Sequence, residues 1–578
     1  MASRTYDFKY DDYGNTQAIQ VFARGEAVYR NNYTSKGIAF TEEERQDLDL
    51  EGSLPPQPRF LEDQVRNSLV KVENKETDLE RFVYVRSLFD RNVTLAHALI
   101  ANDIERFMKI IYTPTVSLAV QQYSSMFRTA NGIHLYPGNI DHAEKILRRH
   151  APKDIRVAVV TDNQGVLGIG DQGAGGIAIC LGKLMLYTQG AGIAPWHCLP
   201  ISLDVGTDNK ALLEDRDYLG WRHTRIRGDE YILFVQRFAK AFKTVFPNAL
   251  CQWEDFSKQT AFAIRDAYLL DLISFNDDIQ GTGAVTLAGI LAAMKIKGEA
   301  LKDQVFLIHG AGAGGIGIAE QIMTALREDG VPEAEAVSQI FTLDSRGLIT
   351  SDRSMEPYKE KFAKDPDRLA WFKSPEDGTL LNTVKRAGVT VLIGTSGQPG
   401  CFTKEVVEAV LANTDRPVIL PLSNPTDQSE AVPADIYRWT DGHALVGTGS
   451  PFDPVSLGSE KIRIGQCNNV FIFPGVGLGV LASGAREVLP TFFTAAARAV
   501  ADSITEDDLK KGVLMPDVSA LREVSRKVAL AVGVTAIRAK VGGPCAFSSF
   551  QHNNEPHRME RLIEKMRWRP VYLPLIPA

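Results

Sequence analysis

The chain has few cysteines and no excess of positive charge. Its 578 residues include only six cysteines, scattered without a CxxC pair or zinc-ligand spacing, so neither a disulfide framework nor a structural zinc site is expected. Acidic side chains outnumber basic ones and give a net charge of −7, which argues against nucleic acid as a main partner. These deficits indicate reduced thiols in a cytosol-like compartment and exclude a polycationic binding protein.

Long apolar runs are also missing. Uninterrupted apolar stretches break before the ~18 residues that a membrane-spanning helix needs, so no membrane partner is expected. The segment from Met1 to Asp12 contains no apolar signal core, and its aspartates argue against a transit peptide. The chain is therefore expected to be cytoplasmic.

The order of sequence patterns predicts a multidomain α/β protein. A mass of 63.6 kDa is too large for one hydrophobic core. Apolar residues recur at three- and four-residue spacing between Leu79 and Phe89, which is typical of helices. From Ile155 onward, β-branched strands alternate with apolar helices, a pattern that favours parallel sheets. After about residue 470 the chain is Ala-rich and helical, and it ends in a basic tail.

Two pairs of carboxylates follow predicted strands. Asp277 and Asp278 come directly after an apolar run, and Glu254 and Asp255 follow an upstream strand. Carboxylates at the ends of buried strands are costly to desolvate unless a cation meets them. An all-oxygen set without histidine or cysteine suits Mg²⁺ or Mn²⁺ and disfavours zinc. The alternative is two independent solvated pairs, which accounts poorly for acids that lie in apolar surroundings.

A glycine-rich turn lies between a predicted strand and a predicted helix. Gly310, Gly312 and Gly315 fit the GxGxxG pattern, a context in which backbone N–H groups can approach a pyrophosphate. A purely structural glycine turn is the alternative. Asp344 ends the next strand and would accept hydrogen bonds from an adenosine ribose, which favours NAD.

The choice between NAD and NADP stays open, with NAD slightly favoured. Arg346 and Lys359 could instead pair with the 2′-phosphate of NADP. A second glycine set, at 168–173, matches the same pattern but lies well past its strand and includes Asp171, which would repel phosphate. We interpret that set as a packing turn near a site.

Four further polar residues are candidates for chemistry. Lys183 is one cation in an otherwise apolar helix; if it is buried, its pKa falls and it becomes a plausible general base. Tyr112 lies at a Thr-Pro break and could donate a proton, although tyrosines in such positions are more often core residues. Asn424 lies in a turn and Asn468 precedes an apolar segment. Both are candidate amides for holding a cofactor or a carboxylate.

Together these stretches resemble the motifs of the malic enzyme family. They run in family order over roughly 80–530 and are Tyr-Thr-Pro-Thr-Val at 112–116, Gly-Ile-Gly-Asp-Gln-Gly at 168–173, Gly-Lys-Leu at 182–184, Leu-Asp-Val-Gly-Thr at 203–207, Trp-Glu-Asp-Phe at 253–256, Phe-Asn-Asp-Asp-Ile-Gln-Gly-Thr at 275–282, Ser-Asn-Pro-Thr at 423–426 and Gly-Ser-Pro-Phe at 449–452. The resemblance implies metal-dependent oxidative decarboxylation of L-malate to pyruvate and CO₂, with reduction of NAD or NADP.

The resemblance also implies roles for the residues at matching positions. Tyr112 would be the general acid, Lys183 the general base and Asp277 a member of the proton relay. The expected ligands of Mn²⁺ or Mg²⁺ are Glu254, Asp255 and Asp278. The residues expected to contact substrate or nicotinamide are Asn424 and Asn468.

In that family a Rossmann-type dinucleotide domain is inserted into an α/β substrate domain. The domains expected here are a helical N-terminal domain (1–135), the first part of the substrate domain (136–279), the dinucleotide domain (280–468), the return to the substrate domain (469–540) and a C-terminal helical arm (541–578). The resemblance further implies a homodimer or homotetramer.

One position departs from the family pattern. Malic enzymes usually carry an arginine three residues before the first glycine of Gly-x-Gly-Asp, where it pairs with a substrate carboxylate, and here that position is Gly165. Malolactic enzymes, which convert malate to lactate while retaining NAD, also have a small residue there, and Trp253 and Gly283 point the same way. The malolactic reaction stays an alternative, as does a catalytically inactive nucleotide-sensing relative. The remaining motifs favour malic enzyme.

Overall fold

The N-terminal region is mostly helical but begins with a β-hairpin. The computed structural model describes residues 5–166, 168–458, 460–543 and 556–578. Strands β1 (Tyr6–Tyr10) and β2 (Thr16–Val21) pair antiparallel. The helices that follow are α1 (Glu26–Tyr29), α2 (Glu42–Asp47), α3 (Leu61–Glu73), α4 (Asp78–Phe89), α5 (Val93–Asn102), α6 (Ile104–Ile111), α7 (Thr115–Gln121) and α8 (Tyr123–Met126). The expectation of a helical domain from residue 1 missed this hairpin.

The first α/β region contains a five-stranded parallel sheet in the order β3-β5-β4-β6-β7. Its strands are β3 (Ile133–Leu135), β4 (Val157–Thr161), β5 (Cys198–Leu203), β6 (Leu250–Glu254) and β7 (Ser274–Asn276). Its helices are α9 (Ala143–His150), α10 (Ile177–Leu186), α11 (Lys210–Glu214), α12 (Gly228–Val245) and α13 (Lys258–Tyr268). Because the strands are parallel, their carboxyl ends meet at one edge of the sheet, as expected from the pattern of buried β-branched residues.

A π-helical turn, Asp277–Gly281, leads from β7 into helix α14 (Thr282–Lys297). Together, Asp277–Lys297 are long and apolar enough to cross a membrane by composition, but 72% of the apolar window is buried inside the protein. The fully buried alanines and Gly289 of α14 allow close packing against neighbouring helices. The apolar surface of this helix is thus mostly covered by the protein core.

The second α/β region is a Rossmann-type domain built on a seven-stranded sheet in the order β10-β9-β8-β11-β12-β13-β16. Its strands are β8 (Phe306–His309), β9 (Ile340–Asp344), β10 (Gly347–Leu348), β11 (Val391–Gly394), β12 (Val418–Pro421), β13 (Leu445–Thr448) and β16 (Gly465–Gln466), with a separate hairpin of β14 (Val455–Leu457) and β15 (Glu460–Ile462). Its helices are α15 (Ala313–Glu328), α16 (Glu333–Ser338), α17 (Leu380–Ala387), α18 (Lys404–Leu411) and α19 (Pro433–Trp439).

All neighbouring strands of this sheet are parallel except β10, which runs antiparallel to β9. The strand order reverses between β8 and β11, and ligands of open α/β sheets bind at such a switch point. The predicted fold class, an α/β protein with a Rossmann-type domain and additional helices, is confirmed.

The remaining helices are α20 (Phe473–Ser483), α21 (Pro490–Ala501), α22 (Glu506–Lys510), α23 (Leu521–Arg538) and α24 (Pro556–Met566). Helix α21 packs on both α14 and α15, so it joins the two α/β regions. The chain ends in strand β17 (Leu575–Pro577), which pairs parallel with β2. The predicted C-terminal arm therefore contains a helix followed by a strand that pairs with the N-terminal hairpin. The part of the arm at 544–555 lies outside the described residues.

Candidate active site

Lys183, the predicted general base, lies among the predicted carboxylates at the edge of the first sheet where its strands end. Glu254 is the last residue of β6 and Asp277 directly follows the adjacent β7. Helix α10 brings Lys183 to them: its Nζ lies 2.8 Å from Glu254 Oε1 and donates a shorter hydrogen bond to Asp277 Oδ2. The three side chains are at most 3% exposed. Residues distant in sequence therefore form one buried ion-pair cluster.

The pKa of Lys183 does not fall as predicted. Burial alone lowers the pKa of this ammonium group, but the carboxylates of Asp277 and Glu254 outweigh burial and hold it well above its usual value. Lys183 is therefore protonated in this arrangement. The prediction failed because it took burial into account without knowing the charges that face the side chain.

Glu254, Asp255 and Asp278 form a compact set of oxygen donors. One carboxylate oxygen from each lies within 4.8 Å of the others. Asp278 Oδ2 accepts a hydrogen bond of 2.8 Å from the backbone N–H of Asp255, whereas the buried Asp255 Oδ2 has no hydrogen-bond partner in the described structure. An orphaned, buried carboxylate oxygen is costly unless a cation meets it.

The electrostatics of this set also fit a cation. Burial raises the pKa of Glu254 and Asp255 well above their usual values, and Asp278 adds to both shifts. Burial likewise raises the pKa of Asp278, to about 6. An all-oxygen donor set with excess negative charge suits Mg²⁺ or Mn²⁺. The residues present therefore fit the metal that the sequence predicted.

Gly165 packs directly against this donor set. Its backbone N–H donates a 2.6 Å hydrogen bond to the carbonyl of Asp255. A Cβ at this position would lie 2.3 Å from the carbonyl oxygen of Phe256, so only glycine fits this backbone. Asp255 itself has a left-handed φ of 56°. The surrounding backbone thus requires the glycine that replaces the family's usual arginine at position 165. An arginine there would require the backbone to move.

Tyr112 lies on the other side of Lys183. It follows the last residue of α6, and its ring centroid is 5.8 Å from Lys183 Nζ. Burial raises the pKa of Tyr112 above its usual value, partly opposed by Lys183. The hydroxyl therefore keeps its proton at neutral pH and can donate it.

Of the two neighbouring asparagines at 468 and 469, the second contacts the cluster. Asn469 Nδ2 donates to Asp277 Oδ2 at 3.1 Å and to the Asp277 carbonyl at 3.1 Å. The side chain of Asn468 instead caps a 3₁₀ turn by accepting a hydrogen bond from the N–H of Val470. Sequence reasoning missed Asn469 because nothing in the pattern Asn-Asn indicates which side chain points inward.

Asn424 lies at the end of the dinucleotide sheet, in a turn against the 168–173 loop. Its Oδ1 accepts a 2.6 Å hydrogen bond from Ser450 Oγ. A Cβ on Gly168 would lie 2.7 Å from Pro425 Cδ, so the two loops touch. The second glycine set is therefore a packing turn, as interpreted from the sequence, and it brings Asn424 beside the first α/β region.

The first turn of the dinucleotide domain has the geometry expected of a phosphate-binding loop. Gly310 adopts φ 118°, and a Cβ on it would lie 2.5 Å from the backbone of Thr395. A Cβ on Gly315 would lie 1.9 Å from the Gly310 carbonyl, whereas Gly312 has no atom within 4 Å of its Cβ position. The first and third glycines are thus needed for packing, and the space above Gly312 is open at the N-terminus of α15.

The carboxylate of Asp344 already accepts hydrogen bonds from residues of its own domain. Its Oδ1 accepts hydrogen bonds of 2.9 Å from Arg353 Nη2 and from the backbone N–H of Arg346, and Lys359 Nζ lies 3.3 Å from its Oδ2. Arg346 turns its guanidinium to the Ser354 carbonyl. The end of β9 therefore carries both a carboxylate that could accept a hydrogen bond, that of Asp344, and two cations, Arg353 and Lys359.

Two family models cover most of the chain. "Malic enzyme, N-terminal domain" matches residues 89–269 and "Malic enzyme, NAD binding domain" matches 279–537. The chain is 42% identical over 560 residues to the NAD-dependent malic enzyme of Shewanella frigidimarina, covering 96% of this chain and 98% of that protein. It is 40% identical over 563 residues to the NAD-dependent malic enzyme of Pectobacterium carotovorum, covering 97% and 98%.

The chain belongs to the malic enzyme family. The fold agrees: the crystal structure of Entamoeba histolytica malic enzyme superposes with a TM-score of 0.54 at 22% identity, covering 90% of this chain and 92% of that one. Malic enzyme from Pyrococcus horikoshii gives 0.51 at 22% identity, covering 79% and 89%. The two family models meet between residues 269 and 279, at the π-helical turn that carries Asp277 and Asp278. The malic enzyme fold therefore places the acidic cluster at the junction of its two α/β regions.

Proposed function

We propose that the chain is an NAD-dependent malic enzyme that converts L-malate to pyruvate and CO₂ with reduction of NAD. One observation carries the proposal: the Lys183 ammonium is paired with Glu254 and Asp277 next to an acidic donor set, where the substrate region passes into the dinucleotide domain. The names of the two bacterial relatives support NAD as the cofactor.

Glu254, Asp255 and Asp278 would hold Mn²⁺ or Mg²⁺, since their oxygens converge and one of them has no other partner. When bound, the cation supplies positive charge that offsets these carboxylates and polarises the C2 oxygen of malate. Asp255 and Asp278 are linked to each other through the Asp255 N–H. That bond orients the Asp278 carboxylate before any ligand arrives, which limits the cost of reorganisation.

Lys183, which is protonated in this arrangement, would first pass its ammonium proton to Asp277 and would then take the proton of the malate C2 hydroxyl. Asp277 contacts Lys183 and is itself held by Asn469, so its orientation is fixed at the centre of the relay. Tyr112, whose ring lies 5.8 Å from Lys183 Nζ, would donate the proton that C3 requires after CO₂ leaves. Tyr112 and Lys183 thus approach each other from the end of α6 and from α10.

The cofactor would lie with its pyrophosphate on Gly310, Gly312 and Gly315 and its adenosine ribose at Asp344. Asn424 would contact the nicotinamide or the substrate. We propose NAD as the preferred cofactor, since the Asp344 carboxylate can accept from a ribose hydroxyl. Lys359 and Arg353 lie on the same carboxylate, so use of NADP stays the second possibility.

The product of the reaction tests this proposal. The full chain is incubated with L-malate, Mn²⁺ and either NAD or NADP, while absorbance of the reduced nicotinamide and the formation of pyruvate and lactate are followed. Net NADH with an equal amount of pyruvate is expected. Lactate without net NADH would replace the proposal with the malolactic reaction, for which Gly165 is the sequence argument, and no turnover with either cofactor would favour an inactive nucleotide sensor.

We also propose a cytoplasmic homodimer or homotetramer. The five described cysteines are all unpaired, which supports a reducing compartment. Exposed apolar side chains on α12, Ile232 and Leu233, are 54% and 48% exposed and could be covered by a second copy of the chain. Sedimentation velocity at micromolar concentration gives the oligomeric state; a monomer would contradict the proposal.

A further inference from the structure

Two buried polar side chains behind the acidic cluster have no role in the chemistry above. Tyr187 and Gln252 are both fully buried. The Tyr187 hydroxyl donates a 2.5 Å hydrogen bond to Gln252 Oε1, and Gln252 Nε2 donates a 2.8 Å hydrogen bond to Glu254 Oε2. Glu254 Oε1 is the atom that faces Lys183. The two oxygens of Glu254 are therefore held from opposite sides.

The direction of these hydrogen bonds follows from the chemistry of the groups. The NH₂ group of the Gln252 amide faces Glu254 Oε2, and an amide NH₂ can only donate hydrogen bonds. Its carbonyl oxygen then needs a donor on the other side. Burial raises the pKa of Tyr187 well above its usual value, so the hydroxyl keeps the proton that it donates. The orientation of the Gln252 amide is thus set by Tyr187.

Tyr187 is itself locked in place by the fold. It begins the π-helical turn Tyr187–Ala191 directly after α10, one helical turn beyond Lys183. Its ring packs 5.0 Å from the ring of Phe473 on α20. A Cβ on Gly477, one turn further along α20, would lie 2.6 Å from Tyr187 Cε1, so glycine makes room for the tyrosine. The helix that carries Lys183 therefore also carries the support for Glu254.

We propose that Tyr187 is a positioning residue that acts through Gln252 to orient Glu254 for divalent-metal binding. The inference rests on the proposed function in one respect, the assignment of Glu254 as a metal ligand. Without the Tyr187 hydroxyl, Gln252 Oε1 loses its donor, so the amide is no longer held in position against Glu254. Hydrogen-bond partners that hold metal ligands typically change metal affinity by about 10–100-fold when lost.

The test measures Mn²⁺ binding directly, from the free Mn²⁺ signal in electron paramagnetic resonance, with the full chain and no substrate. Tyr187→Phe keeps the ring and removes the hydroxyl, and Gln252→Met removes the amide at similar volume. Each single variant is expected to raise the Kd for Mn²⁺ by about tenfold. The double variant is expected to bind no more weakly than Gln252→Met, because the two residues act in series. Tyr437→Phe, a similarly buried tyrosine in α19, is the matched control and should bind as the parent does.

The outcomes separate the two proposals. If the parent binds Mn²⁺ and Glu254→Gln abolishes binding while Tyr187→Phe and Gln252→Met stay within twofold of the parent, the positioning role is wrong and the metal site stands. Additive losses in the double variant also contradict the series arrangement. If the parent binds no Mn²⁺, or Glu254→Gln binds as the parent does, the metal site itself is wrong. Should Tyr187→Phe fail to fold by circular dichroism, Gln252→Met alone decides, since an unchanged Kd overturns the proposal.

Discussion

Carboxylates end strands in both α/β regions, but their surroundings differ. At β6 and β7 of the first sheet, Glu254, Asp255, Asp277 and Asp278 face one buried cation, Lys183, and two of their oxygens, Asp255 Oδ2 and Asp277 Oδ1, have no hydrogen-bond partner in the described structure. At β9 of the second sheet, the carboxylate of Asp344 is met by Arg353, Lys359 and a backbone N–H.

The difference separates two kinds of function. Buried carboxylates that lack positive charge and hydrogen-bond donors are costly to keep ionised, and a cation from solution removes that cost. A carboxylate that its own domain neutralises cannot recruit a metal but can still share a hydrogen bond with a ribose or yield its cations to a phosphate. We therefore propose the first site as a metal centre and the second as a site of cofactor selection.

The largest effect is expected from removing the one cation of the acidic cluster. Lys183→Ala should lower kcat for malate oxidation by about 10²–10⁴-fold because the proton acceptor is lost. The matched control is Lys364→Met. Lys364 is also buried, but it donates to the carbonyls of Val337 and Ser338 and faces no carboxylate. Steady-state assays at saturating malate should show near-parental kcat for the control; equal losses in both variants would contradict a special role for Lys183.

Next in size is the effect of removing one carboxylate from each site. Asp278→Asn should raise the Kd for Mn²⁺ at least about tenfold, since it takes a ligand from the donor set. Asp344→Asn should leave that Kd unchanged, because its carboxylate lies in the other site. Isothermal titration of both variants with Mn²⁺ checks the contrast. Weaker Mn²⁺ binding by both variants would show that the sites are not independent.

A smaller effect is expected on cofactor preference. Asp344→Asn should release Arg353 and Lys359 for a 2′-phosphate and raise kcat/KM with NADP relative to NAD by about tenfold, equivalent to about 1.4 kcal/mol. Asp352→Asn, an exposed aspartate in the same loop, is the control and should leave the ratio as it is. Initial rates with both cofactors give the ratio of kcat/KM with NADP to kcat/KM with NAD. An unchanged ratio in Asp344→Asn would show that Asp344 does not determine the cofactor preference.

The smallest expected effect is on the pH dependence of folding stability, to which the two buried lysines contribute differently. Burial lowers the pKa of Lys364 to about 7 from 10.5, whereas Lys183 with its carboxylates keeps a raised pKa. Between about pH 7 and 10.5 the unfolded chain binds a proton at Lys364 that the folded chain does not, so this residue makes stability rise with pH in that window. Melting temperatures from pH 7 to 9 should increase more in the parent than in Lys364→Met. Parallel curves of melting temperature against pH for the parent and Lys364→Met would contradict a lowered pKa for Lys364.

Much of the framework could be predicted because it depends on local patterns. Strands such as β4, β8 and β11 coincide with apolar, β-branched runs, and the acids at 254–255 and 277–278 are visible as strand-end pairs in the sequence. Parallel strands bring such ends together by topology alone, so the sequence could predict a metal site formed by Glu254, Asp255 and one of Asp277 and Asp278. The choice of Asp278 came from the family resemblance.

Features that depend on distant parts of the chain could not be predicted. The pKa of Lys183 is set by Glu254 and Asp277, which only the fold brings to it. The hairpin β1–β2 is completed by β17 from the opposite end of the chain, so its short apolar pattern gave no signal alone. The inward direction of Asn469 depends on a 3₁₀ turn that Asn468 caps, and two identical neighbours cannot be told apart by sequence.

The central claim is that the acidic cluster beside Lys183 is a divalent-metal centre. Crystals of the full chain soaked in Mn²⁺ and measured at the manganese absorption edge test it most directly. We expect one strong anomalous peak among the carboxylates of Glu254, Asp255 and Asp278, at the ~2.0–2.6 Å typical of oxygen ligands to divalent cations, and none at Asp344. No peak among these carboxylates at saturating Mn²⁺, or a peak at another site alone, would contradict the account.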